Sequence, residues 1–225
     1  HHSSSSYCIY LSPEMDENDF SSKYPMVYKF LSCFKERLKT RDNGHLRCPW
    51  YIWRRPRNVK NLKKTPKIVL PYKANRLKSS IDFQGEYCSY DVTIFIPDQT
   101  QNLNINVICG ILNSRAIQWY FETYGKKMGP ILEFYSTPFS KIRIPLIIEP
   151  FARKIKKLVK AIIKLKKNHL ESTNDDEKIA NMQTEIDALV FDSFRLTEKE
   201  VDMVLESLKV NLTEKKNILK LLNTE

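Results

Sequence analysis

Residues Trp50 to Arg57 read Trp-Tyr-Ile-Trp-Arg-Arg-Pro-Arg, and lysines follow at 60, 63 and 64. A guanidinium is a planar fork of donors that matches phosphate oxygens and the O6/N7 edge of guanine. Arg54, Arg55 and Arg57, three within four residues beside a proline, form a donor array suited to a polyanion. Lys60, Lys63 and Lys64 add sequence-independent attraction for phosphate. Two uses stay open for the aromatics. Trp50 or Ile52 packs inward while the arginines merely face water, or alternate side chains serve a core and a DNA-facing surface together.

A second candidate runs from Gly125 to Phe139. Its glycines can simply end a helix and turn the chain. Lys126 and Lys127 between them nevertheless offer a grip on phosphate, with Glu133 as an acceptor for a cytosine amino group and Tyr135 beside it. Arg76 and Lys78, also expected to contact DNA, sit in a third polar stretch, "KANRLKSSIDFQGEYCS", which reads as an exposed loop and hairpin turning at Gly85.

Charge supports the polyanion reading. The 225 residues carry a net +11, distributed unevenly. From Lys29 to Lys78 there are sixteen Lys or Arg against two acids, whereas Glu171 to Glu206 holds eleven acids against three bases. Solubility alone calls for mixed signs, so one end of the molecule is built for an anion, of which nucleic acid is the commonest.

Catalytic signatures are missing from the pattern. The sequence contains no Gly-rich phosphate loop, no G-x-S-x-G, no H-E-x-x-H and no calcium loop. Five scattered cysteines without a C-x-x-C suggest neither a disulfide framework nor a zinc site, and point to a reducing cytoplasm. His45 and His169, the only histidines outside the leading "HHSSSS", do not make a metal-ligand set. The longest apolar run, near "IPLIIEPF", is far short of a membrane span. The sheet acids Asp82, Glu86 and Asp91 lack the acid-x-Lys partner of a nuclease, and the C-terminal acids read as solvated helix faces.

These residues need elements to hold them. "YCIYL", "PWYIW", "PKIVLPY", "YDVTIFIP" and "KIRIP" read as strands, with Val92, Ile94 and Ile96 on one face of the fourth. A helix is expected from Pro25 or Met26 to about Thr40, closed by Asn43-Gly44, and two helical pieces meet at Ser114 within Leu103 to Tyr124. Beyond Pro150, Phe151, Ile155, Leu158, Val159, Ile162 and Ile163 mark a basic amphipathic helix of about eighteen residues. A polar linker leads to an acidic second helix, so the two should pair antiparallel. Thr197 with Glu200 forms a capping box opening a third helix, and a last one starts near Thr213. The fold class is α+β: a small mixed β-sheet domain, then an antiparallel helical hairpin and C-terminal helices. His1 to Ser6 read as a tag remnant, 7–148 as the recognition domain and 149–225 as a helical spacer and docking region.

In order along the chain, "KYPMVYKFLSCFKERLKTR", "PWYIWRRPR", "PKIVLPY", "YDVTIFIP", "GILNSRAIQWYFETYGKKMG", "SKIRIP" and "EIDALVFDSFRLTEKEV" resemble the TaqI-like C-terminal specificity domain of adenine-specific DNA methyltransferases and fused restriction-modification enzymes. The resemblance implies a target-recognition domain that reads double-stranded DNA while a separate domain flips and methylates an adenine. It places Trp50, Tyr51, Arg54, Arg55 and Arg57 in the basic aromatic motif and Gly125 to Tyr135 in the reading loop. It also implies partners: double-stranded DNA, and a methyltransferase domain in the same polypeptide or a separate subunit. The family's Asn-Pro-Pro-Tyr/Phe motif is absent here. No cofactor is therefore expected in this chain, and S-adenosylmethionine belongs to the missing catalytic domain. The rival reading is a helical scaffold that recruits a methyltransferase or nuclease, with only nonspecific DNA contact.

Overall fold

The computed structural model describes residues 9–53, 62–85, 92–97, 104–145, 147–167 and 173–222. Contacts divide the chain into two units, residues 1–59 and 60–225.

In the first unit, α1 (Glu17–Lys23) is opened by Asp16, whose carboxylate accepts the Asp19 N–H at 2.7 Å. The single helix expected to reach Thr40 is instead α2 (Pro25–Ser32) and α3 (Lys35–Lys39). Between them the Cys33 and Phe34 N–H groups bond back only three residues, to Phe30 and Leu31. This tightened turn re-aims the chain. Asp42, Asn43 and Gly44 are all left-handed, with φ of 55°, 56° and 79°, at the stop that Asn-Gly signalled.

The runs "YCIYL" and "PWYIW" are not strands where described: Ile9–Leu11 is irregular and Pro49–Ile52 is a turn, the Ile52 N–H bonding the Pro49 carbonyl at 3.0 Å. Three consecutive side chains, Trp50, Tyr51 and Ile52, are buried with Leu11 and Phe20. A strand, alternating its faces, cannot bury three in a row against one layer. Three side chains donate to one Glu17 oxygen: Tyr28 at 2.9 Å, Lys35 at 3.0 Å and the Trp50 indole at 3.1 Å. The Lys35 bond is the chief reason its carboxyl is held below its usual pKa. The Arg41 guanidinium donates to the Trp50 and Ile52 carbonyls at 2.7 and 3.2 Å, tying the end of the helical segment to the aromatic turn.

The second unit contains two three-stranded antiparallel sheets. In the first, β1 (Lys67–Pro71) lies between β3 (Ser80–Asp82) and β4 (Val92–Phe95), with Ile68 opposite both Ile81 and Phe95. In the second, β6 (Ile131–Glu133) lies between β2 (Lys73–Ala74) and β5 (Lys126–Met128). The stretch expected to be exposed from Lys73 to Gly85 therefore contributes to both sheets and buries Leu77, Ile81 and Asp82. The run "KIRIP" forms no strand. On β4 it is Phe95 that meets the core, its ring 4.7 Å from that of Phe139, while the Thr93 hydroxyl donates to the Phe134 carbonyl. Val92 and Ile94 alternate with them on the other face, and all four residues of the strand are half-buried.

Helices α4 (Ile105–Leu112) and α5 (Arg115–Tyr124) meet where expected, with Ser114 as N-cap of the second. A short α6 (Ser136–Ser140) follows the second sheet. Helices α7 (Glu149–Lys167) and α8 (Thr173–Ser193) are antiparallel neighbours: Lys154 pairs with Glu185 at 3.0 Å near one end, and Lys166 and Ile179 line the same cleft toward the other. The Thr197–Glu200 capping box opens α9 (Glu198–Ser207), and α10 (Leu212–Leu222) ends the unit. Ile155, Val159, Ile186 and Leu189 share one core with Ile68, Leu70, Ile111 and Phe121, so the packing continues across residue 148.

Gly110 of α4 packs tightly against α7. A Cβ there would stand 2.7 Å from Ile155 Cγ2 and 3.1 Å from Val159 Cγ2. Both neighbours are buried and β-branched, so neither can turn aside cheaply. Gly110→Ala is expected to lower stability by about 1–2 kcal/mol despite Ala's better helix propensity, read as a lower urea midpoint at unchanged slope.

Candidate nucleic-acid interface

Arg54, Arg55, Arg57 and Lys60 lie outside the described residues, as do Glu86 and Asp91. In the turn that precedes them in sequence, Trp50 and Tyr51 are each 6 % exposed, and the Tyr51 hydroxyl donates to the Met15 carbonyl at 3.0 Å. These two aromatics have no free face for a base. Lys63 and Lys64 are exposed.

The stretch expected to be a loop after Gly125 is instead a hairpin of β5 and β6. Three-residue strands explain how it escaped the sequence pattern, since "KKM" and "ILE" are too short for alternation to show. Register places Lys73, Glu133 and Lys126 side by side across the second sheet. Glu133 is 4 % exposed, and its two oxygens receive Lys73 at 3.1 Å and Lys126 at 2.9 Å. Those bonds, Lys126 foremost, hold its carboxyl below its ordinary pKa, and the Lys126 ammonium is held above its own. Lys127 reaches Glu122 at 3.1 Å. All three lysines are exposed, and against the carboxylates of Glu133 and Glu122 they leave one net positive charge at the hairpin. Beyond them Met128 and Ile131 are exposed, and Gly129, at φ 61°, makes the turn. Half-buried Tyr135 follows, at the start of α6. An incoming cytosine amino group would have to displace one lysine to reach Glu133.

Lys73 is the participant that sequence reasoning passed over. Its only signal was its place two residues after the apolar run "KIVLP". Arg76 and Lys78 lie apart from this hairpin in sequence and line a cleft between β3, α4, α7, α8 and α10. Arg76 is half-buried, and burial, then the charge of Arg115, depresses its pKa. Asp82, one of the acids weighed for a nuclease, is 3 % exposed and occupied by Lys67. Among the described residues no three His, Cys, Asp or Glu side chains are grouped to hold a metal, and no helix is long and apolar enough to cross a membrane.

Comparison with known proteins gives this arrangement a context. The family model of the TaqI-like C-terminal specificity domain matches residues 17–142, more than half of the chain, including the aromatic turn, both sheets and the hairpin. The sequence is also 30 % identical over 184 residues to the Type II methyltransferase M.MjaIV of Methanocaldococcus jannaschii. That alignment covers 78 % of this chain and 57 % of the relative, so the chain spans little more than half of the relative's length. On the match from α1 to the end of the second sheet and α6, the chain belongs to the TaqI-like C-terminal specificity domain family.

Proposed function

We propose that this chain binds double-stranded DNA sequence-specifically as the target-recognition part of an adenine-specific DNA methyltransferase of a restriction-modification system. The observation that carries the reading is the hairpin inside the family match, where exposed Lys73 and Lys126 flank the buried Glu133 and exposed Lys127 pairs with Glu122. Such a cluster grips phosphates and positions Glu133 and Tyr135 near base edges. Arg54, Arg55, Arg57, Lys60, Lys63 and Lys64 supply a second set of phosphate contacts. The catalytic chemistry, with S-adenosylmethionine, belongs to a methyltransferase domain in the same polypeptide or a separate subunit, and the setting is cytoplasmic.

The test is a salt titration of duplex affinity by fluorescence anisotropy. Four phosphate contacts give a log–log slope of about −3.6, a loss of roughly 100-fold between 50 and 200 mM salt. Lys126→Ala and Lys127→Ala should each flatten that slope by about 1. A salt-independent affinity, or slopes unmoved in both variants, would remove the hairpin from the interface.

A further inference from the structure

The cleft that takes in Arg76 and Lys78 has a volume of about 630 Å³, within the range of small-molecule sites. Its three parts differ in chemistry. Ile162, Ile163 and Ile179 form an apolar floor between α7 and α8. Arg76, Lys78 and Lys166 bring three positive charges to the wall, and among the described residues none of the three has a carboxylate within ion-pairing distance. Asn181 and Asn217 add amide donors and acceptors at the rim.

Several other cations of this unit are paired: Lys67 with Asp82, Lys126 with Glu133, Arg115 with Glu214 and Lys215 with Asp202 and Glu206. The same lining also holds Arg115, Asp176 and Glu214, so four cations stand against two carboxylates and the cleft keeps an excess of positive charge over its apolar floor. This fits a ligand that is anionic at one end and flat and apolar at the other. A duplex does not qualify, because its phosphates lie outside while its bases stay stacked.

We propose that this cleft is a binding site for a free nucleotide, the heterocycle lying on the isoleucine floor beneath the Asn181 and Asn217 amides and the phosphates held by Arg76, Lys78 and Lys166. Arginine and lysine bind phosphate by charge-assisted hydrogen bonds, and amides pair with the edges of a base. The site does not depend on the duplex-binding hairpin, so the two readings stand or fall separately.

Isothermal titration of the 225-residue chain with ADP tests it, adenosine and inorganic pyrophosphate being the partial ligands. One ADP is expected per chain, with adenosine and pyrophosphate each weaker by about tenfold or more, since each lacks one half of the contacts. Arg76→Ala and Lys166→Ala should each weaken ADP about tenfold by removing a charged donor. Ala180→Trp, which places a ring in the cleft from an exposed position of α8, should abolish ADP binding while circular dichroism and duplex affinity stay unchanged. Lys199→Ala, on α9 and outside the lining, should leave ADP binding intact. Absence of ADP binding, ADP binding that survives Ala180→Trp, or pyrophosphate as tight as ADP overturns the proposal. Loss of duplex affinity in Ala180→Trp equal to its loss of ADP also overturns it, because the cleft would then be part of the DNA surface.

Discussion

Lys67→Met is expected to cost about 3–5 kcal/mol in urea unfolding, and Asp82→Asn a similar amount, while the double variant recovers most of the loss. The two residues face each other across β1 and β3, with Lys67 fully buried and Asp82 3 % exposed, and the ammonium donates directly to the carboxylate. Either single change leaves one charge in an apolar interior without its partner, which is where the cost arises. In the double variant no charge remains, and the amide oxygen at 82 can still accept the Gln84 and Gly85 N–H groups that the carboxylate now takes at 2.9 and 2.8 Å. Those bonds shape the turn that Gly85 completes at φ 78°.

A pH signature accompanies the pair. Burial is the largest influence on Asp82 and raises its pKa, but the Lys67 hydrogen bond and the two turn N–H groups outweigh it, and the folded value lies below the ordinary one. Its contribution is therefore present above about pH 4 and lost as pH falls through the folded pKa. Additive single losses in the double variant would show that the pair is not coupled. Because β1 is the central strand of its sheet, weakening it also loosens β3, whose residues Ser80 and Ile81 line the cleft.

That pair was not legible in the sequence, and the reason is physical. Lys67 stands before an apolar run and Asp82 follows one in a polar stretch, so each looks like a solvated flank until register sets them opposite. Local signals fared better because they need only neighbouring residues. Ser114 and Thr197 cap helices with their own side chains, and the stripe Phe151, Ile155, Leu158, Val159 and Ile162 carries its period within one helix. "PWYIW" and "KIRIP" have strand composition but pair with no strand among the described residues, and β-propensity depends on having a partner. The hairpin failed in the opposite direction, its short lysine-bearing strands being paired by tertiary context. At the candidate interface the residue types were legible, whereas the neutralisation of Lys73 and Lys126 by one buried Glu133 was not, since it joins residues sixty positions apart along the chain. The acids of α8 illustrate the same limit, because all of them read as solvated and Asp187 is not.

Asp187 should make the stability of the wild-type chain fall as pH rises from about 4 to 7. The residue is 1 % exposed; one oxygen accepts the Arg115 N–H at 2.8 Å, at the first turn of α5, where a helix end favours an acceptor. The other oxygen stands 3.8 Å from Arg115 Nε, beyond hydrogen-bonding distance, and both of those atoms are buried without a hydrogen-bond partner. The far end of the Arg115 guanidinium is committed to Glu214. Burial is the dominant influence and lifts the Asp187 pKa from 3.8 to about 7, against the opposing pull of the Arg115 N–H and the charges of Arg115 and Arg76. With the folded pKa above the unfolded one, the folded state holds a proton between those values that the unfolded chain has released. The stabilisation is therefore complete below pH 4 and gone above about pH 7, a span of roughly 4 kcal/mol. Asp187→Asn keeps the acceptor for the Arg115 N–H and cannot ionise. The difference in unfolding free energy between wild type and this variant, measured by urea from pH 4 to 8.5, isolates the one group from other titrations. It should slope by about 1.4 kcal/mol per pH unit below 7 and level off above, with the variant the more stable at pH 8. A flat difference would mean that Asp187 stays ionised in the folded chain, and that the 3.8 Å approach to Arg115 is a working ion pair.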